Sequence, residues 1–365
     1  MTMRIRQEET IDRCRFCFMC RHVCSLARAT HEESVTPRSQ GLVLSLINRD
    51  AATADPDVIK NIYNCTQCRW CKEWCEGGWD FSVCAIAARE ALLENGLAPE
   101  NVSQLIDQLT GQAMPAVTRA DTSTQTGVDI LLLAEPVWAE GAIAQTEQAA
   151  ALLQKAGLSV AVTGTASPAL RLYLLGAREA AASKLRELIG MIRQSGCQTV
   201  VALSPGDVFL LRELPELLKT PPLPDSIRVR PMAGLLAELI ADGRLTLRPD
   251  IRSFTWHDDD FSARYTHETE ALPAILRAIP DAAVAEPVWR GNHARSSGGA
   301  SAGCSDPVII ARLADMRLQE LTATGADCIV TMTADDCTLL GKAGSSKPQI
   351  LTLVDLAASL LGGTP

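Results

Sequence analysis

The sequence predicts a multidomain chain, with an α-helical N-terminal module followed by a duplicated α/β domain built on parallel sheets. Three observations lead there. Two four-cysteine runs interrupt a helical pattern in the first 110 residues. From Val128 onward, short apolar strands alternate with helices, the grammar of βαβ layers. Within that part, SGCQTVVALSPGD (195–207) and TGADCIVTMTADD (324–336) read alike at a constant offset of 129 residues.

The elements follow in order. TPRSQGLVLSLINR (36–49) reads as a helix with Pro37 in its first turn, where a missing N–H costs nothing. SVCAIAAREALLENG (82–96) is a second helix, stopped by Gly96 and Pro99. The module is expected to span 1–110, and 111–127 has a linker's composition. The α/β domain then covers 128–365, in halves of about 128–245 and 246–365. VDILLLAE (128–135), LSVAVTG (158–164), CQTVVALS (197–204), SFTWHD (253–258) and DCIVTM (327–332) are its strand candidates. A long helix is expected near 176–195, and another over 305–325 with Ser305 as its cap.

A net charge of −9 over 365 residues argues against nucleic acid, which rewards basic surfaces. Residues 1–75 carry 11 Lys/Arg against 9 Asp/Glu, so the remainder carries −11. No apolar stretch is long enough to cross a bilayer, and the N-terminus lacks an apolar signal region. The expected setting is cytoplasmic, without direct membrane insertion, any membrane contact being made through a partner.

Thirteen cysteines without a secretory signal point away from disulfides. Eight of them form two matching runs, Cys14-x2-Cys17-x2-Cys20-x3-Cys24 and Cys65-x2-Cys68-x2-Cys71-x3-Cys75. Three thiolates at such gaps wrap one corner of an iron–sulfur cubane, and in two-cluster proteins the fourth crosses to the other cluster. The reading is therefore two [4Fe–4S] clusters, one on Cys14, Cys17, Cys20 and Cys75, the other on Cys65, Cys68, Cys71 and Cys24. Zinc is the alternative for soft thiolates, although it usually takes paired C-x2-C hooks. Arg13, Arg15, Arg21, Arg69 and Lys72 lie near enough in sequence to offset an anionic cluster, or simply to form a mixed solvated surface. Cys84 reads as a small core residue, and Trp70, Trp74 and Trp79 as packing or as water shields. His22 and His31 have no partner pattern.

The spaced runs with PRSQGLVL between them resemble a helical two-cluster ferredoxin module. That module occurs in heterodisulfide reductase and in the iron–sulfur subunits of glycolate oxidase and anaerobic glycerol-3-phosphate dehydrogenase. The usual proline after the last cysteine is replaced by Ser25 and Glu76. In that family the second part is a duplicated α/β "CCG" domain with cysteine motifs. Here its landmarks survive without the cysteines. Ser167-Pro168-Ala169 precedes LGAREA (175–180), and Ser204-Pro205-Gly206-Asp207 resembles Ser-Pro-Gly-Cys. His257-Asp258-Asp259-Asp260, Ser296-Ser297-Gly298 and Thr333-Ala334-Asp335-Asp336 are similar to the remaining motifs. Cys197, Cys304, Cys328 and Cys337 miss the motif positions.

The resemblance implies an electron-transfer subunit that works with a flavoprotein dehydrogenase and a downstream electron acceptor. No nucleotide-binding glycine fingerprint occurs, and the Gly-rich SSGGASAG (296–303) lacks a P-loop's Gly-Lys-Ser/Thr. Two further readings stand beside it. The α/β domain could act as a disulfide or thiol reductase, or Asp207, Asp260 and Asp336 with His257 could hold a hard metal in place of the lost thiolates. Against the metal stands the frequency of Asp at turns and helix caps.

Overall fold

A computed structural model describes residues 3–113, 117–119, 128–134, 142–163, 166–301, 303–344 and 348–361. The chain divides into two compact units. The first comprises residues 1–112, 168–183 and 295–314; the second comprises 113–167, 184–294 and 315–365. Two short stretches of the C-terminal part thus belong with the helical module.

The first unit is helical. Pro37–Asn48 starts where Thr36 accepts the Ser39 N–H, with Pro37 in its first turn. Pro56–Asn64 starts on Asp55 in the same way. Phe81–Glu94 is capped by Asp80 and buries most of its circumference, through Phe81, Ala85, Ala88 and Leu92 among others. A helix apolar on nearly all sides must lie inside its unit. Gly41 faces the Trp79 ring so closely that an added Cβ would come within 2.6 Å of it. Glu100–Gly111 extends the expected module by a residue, and within the expected linker Val117–Arg119 forms a strand, β1. The rest of that linker, 114–116 and 120–127, lies outside the described residues.

The second unit holds two sheets. Besides β1, the first has β2 (Ile130–Leu133), β3 (Val160–Thr163), β4 (Thr199–Ala202) and β5 (Arg228–Pro231), in the order β1-β3-β2-β4-β5. All pairs are parallel except β1 with β3. The second has β6 (Ser253–His257), β7 (Ala283–Val284), β8 (Cys328–Thr331) and β9 (Gln349–Thr352), in the order β7-β6-β8-β9, all parallel. Without β1, each sheet places its first strand between its second and third. The two similar segments, 195–207 and 324–336, carry β4 and β8, which hold the same place in their two sheets. One apolar core joins the halves, with Leu132, Val201 and Leu236 from the first and Phe254, Val330 and Leu356 from the second.

Corrections fall at element ends. The helix expected over 305–325 is Pro307–Thr322, and Asp306 rather than Ser305 receives its first N–H, from Val308 at 2.9 Å. Ser305 instead donates to the carbonyls of Tyr63 and Asn64. Cys197 is buried ahead of β4 rather than on it, whereas Cys328 opens β8 as expected.

Candidate metal centre

The two cysteine runs fold alike. Each needs a left-handed residue two places after its first cysteine, supplied by Phe16 (φ 55°) and Gln67 (φ 57°). That twist turns the N–H of the same residue back toward the first sulfur. Phe16 N lies 3.4 Å from Cys14 Sγ, and the Gln67 N–H likewise favours the charged form of Cys65. Short helices follow, Met19–Val23 carrying Cys20 and Trp70–Glu73 carrying Cys71. Cys24 then breaks the chain between Met19–Val23 and Ser25–Thr30.

The fourth cysteine of each run faces the other run. Cys24, Cys65, Cys68 and Cys71 line one cavity together with Gln40 and Phe81. The Cys24 thiol lies in the field of Cys68 and Cys65, and Cys71 in that of Cys68, Cys65 and Cys24. Cys14 lies in the field of Cys75 and Cys17, and Cys20 in that of Cys14 and Cys17.

Burial is the largest influence on Cys14, Cys20, Cys24, Cys65 and Cys71. It pushes Cys20 and Cys65 up to about 11, and Cys24 and Cys71 well above the ordinary range. A buried thiol of this kind ionises when a metal takes the sulfur. Donors suited to anionic sulfur are in place: Trp79 N is 3.3 Å from Cys75 Sγ, and Ser25 Oγ 3.6 Å from Cys68 Sγ. The donor set is thiol throughout, which fits an iron–sulfur cluster or zinc. Among the described residues, no three His, Cys, Asp or Glu side chains are gathered closely enough for a single metal ion. A cubane is wider than an ion, and its ligand sulfurs stand correspondingly further apart.

The surroundings of the two runs differ. Cys17 is exposed, as are Phe16 (42%), Phe18 (56%) and Met19 (46%) beside it. The Arg38 guanidinium lies 4.5 Å from the Phe18 ring centroid and donates to Phe16 O. In the second run, Trp70 is buried, with Arg28 and Arg295 at 6.0 and 5.9 Å from its ring centroid. Of the five cations singled out by sequence, three meet carboxylates: Arg69 and Lys72 at Asp80, and Arg21 at Glu33. Arg13 and Arg15 are exposed. Cys84 is wholly buried, and Trp79 donates to Thr10 O at 2.7 Å.

The aspartates singled out by sequence in the second unit lie at the carboxyl ends of the strands. Asp207 follows β4 in the first turn of Pro205–Arg212; burial pushes it up to about 7, and its Oδ2 has no hydrogen-bond partner. Asp336 follows β8 in the first turn of Ala334–Ala343, bonded to its cap Thr333. His257 ends β6, with Nε2 3.5 Å from Asp336 and Nδ1 accepting from Arg317. Asp260 is ion-paired with Arg264, while Asp259 caps the next helix. Of the four residues read as a possible hard-metal set, His257 and Asp336 come together, Asp260 is taken by Arg264, and Asp207 Oδ2 has no hydrogen-bond partner.

Sequence reading missed Arg89 and Gly176, the one because it sits in an apolar helix and the other because its role is steric. The signal for Arg89 was present: Arg89-Glu90 is a charged pair inside the run AIAAREALL.

Comparison with known proteins places the chain loosely. No family profile matches it. It is 24% identical over 333 residues to a probable membrane-anchored ferredoxin of Chromohalobacter salexigens, a match that covers 84% of this chain. The chain spans about half of that relative, 49% of its length. Among solved structures, a hypothetical protein from Helicobacter pylori superposes with a TM-score of 0.62 at 10% identity, covering 89% of this chain and 68% of that one. That likeness is one of fold alone. Among the described residues, no helix is long and apolar enough to cross a membrane.

Proposed function

We propose that this chain is an electron-transfer protein holding two [4Fe–4S] clusters, one on Cys14, Cys17, Cys20 and Cys75, the other on Cys65, Cys68, Cys71 and Cys24. The observation that carries this reading is the crossing, in which Cys24 shares a cavity with the three cysteines of the second run. The distant similarity to a protein named a ferredoxin supports it. Such clusters supply one-electron chemistry when bound.

The chain's own residues do the rest. Eight thiolates hold the iron, and N–H donors from Phe16 and Trp79 steady the charge on sulfur. Buried Trp70, Phe81 and Trp79 keep water from the second run and from the helices between. Cys17, ringed by exposed Phe16, Phe18 and Met19, offers a partner close approach to the first cluster.

The chain acts as a subunit: a flavoprotein dehydrogenase oxidises a small substrate and hands electrons to it, and it passes them to a downstream acceptor. Two-electron chemistry needs an organic cofactor, and no nucleotide-binding fingerprint is present in the sequence. Anaerobic co-purification tests this reading. A flavin-containing partner that bleaches the clusters on adding its substrate is the expected result; an isolated chain that turns over substrate unaided would overturn the subunit role.

A further inference from the structure

Arg89 is fully buried, at 0% exposure in the middle of Phe81–Glu94. Its guanidinium donates to carbonyls only: Ile62 at 2.9 and 3.2 Å, Tyr63 at 3.1 Å, Cys65 at 2.6 Å and Leu174 at 2.6 Å. It also lies 5.3 Å from the Tyr63 ring centroid. Among the described residues, no carboxylate bonds or pairs with it. Arg69 and Lys72 of the same run are answered by Asp80, and Arg89 has no such answer.

A buried cation without a counter-ion is among the costliest features a fold can contain. Carbonyl dipoles soften that cost without supplying opposite charge. The fork grips the backbone of Tyr63 and Cys65, where the second run begins, and its positive charge is felt at the Cys65 sulfur. Tyr63 does not supply the charge, because a phenol is neutral at neutral pH and this one is buried. What remains is the anionic group that the second run would bind.

We propose that Arg89 is the counter-ion of the second cluster, stabilising its reduced form and so raising its reduction potential. This rests on the reading that Cys24, Cys65, Cys68 and Cys71 hold a four-iron cluster. Reduction adds one negative charge, which a neighbouring cation favours and burial opposes. Cys17 of the first cluster is exposed and no cysteine of the second is, so burial alone would make the second cluster the harder to reduce. Arg89 acts against that trend.

The test is an anaerobic redox titration of the reconstituted full chain, followed by electron paramagnetic resonance. The clusters are distinguished by which signal is lost in Cys24→Ala and in Cys75→Ala. Arg89→Gln, which keeps polar atoms and removes the charge, should make reduction of the second cluster about tenfold less favourable, about 59 mV for one electron. The first cluster should stay put, and Arg89→Lys, which keeps the charge, should stay near the wild type. Equal potentials in Gln and wild type, equal shifts of both clusters, or a Lys variant behaving as Gln would each overturn the inference. Should the Gln variant fail to assemble, the wild type decides: a second cluster titrating at or above the first supports the proposal, and one clearly below it overturns it. A wild type lacking iron and sulfide would overturn the cluster reading itself, which the metal analysis shows separately.

Discussion

Cys24 ends one short helix, begins the next, and turns its thiol toward Cys65, Cys68 and Cys71. Cys24→Ala should therefore damage the cluster of the second run and Cys75→Ala that of the first, as read from the separate resonance signals. Damage confined to each residue's own run would refute the crossing. Asp207 gives a different kind of prediction. Burial raises it from 3.8 to about 7, so between those values the folded state keeps a proton that the unfolded chain releases. Its contribution therefore makes stability fall as pH rises through that window and level off above about 7. At about 1.4 kcal/mol per pKa unit, the effect is on the order of 4 kcal/mol. Asp207→Asn should flatten that part of the profile, measured by denaturation at about pH 5 and about pH 8.

At the scale of elements, Phe81–Glu94 is held by a close contact. Gly176, at φ +89°, lies so near that an added Cβ would come within 2.6 Å of Glu90 N and 2.7 Å of the Arg89 carbonyl carbon. Gly176→Ala should cost at least about 2 kcal/mol, from the left-handed backbone and the clash together, measured as a drop in thermal midpoint. The sequence shows Gly176 within LGAREA, but steric closeness to a helix far away in the chain has no local signature. The cysteine runs were legible because ligand spacing is local, and the strands because apolar runs are local. Strand order was legible only as a hint of duplication. Ser305 was misread because Ser and Asp both cap helices, and tertiary bonds to Tyr63 and Asn64 claimed the serine. Arg89 stayed hidden because its partners are carbonyls, which every residue has.

At the scale of the whole chain, each half of the second unit repeats one strand order and keeps a buried aspartate after its third strand. The halves differ in what surrounds that aspartate. The second half pairs its aspartate with His257 and buries the Asp260–Arg264 pair, whereas Asp207 Oδ2 of the first half has no hydrogen-bond partner. Asp260→Asn should lower stability by roughly 3–5 kcal/mol, because it strands a buried guanidinium, yet leave the iron content of folded protein unchanged. Thermal melting with metal analysis of the same samples checks both halves of that statement.

Two four-iron clusters on the eight thiols of the two runs are what the proposed function requires. Iron and acid-labile sulfide, determined on anaerobically purified chain, test it most directly. About eight iron and eight sulfide per chain are expected. Stoichiometric zinc with no sulfide would contradict it.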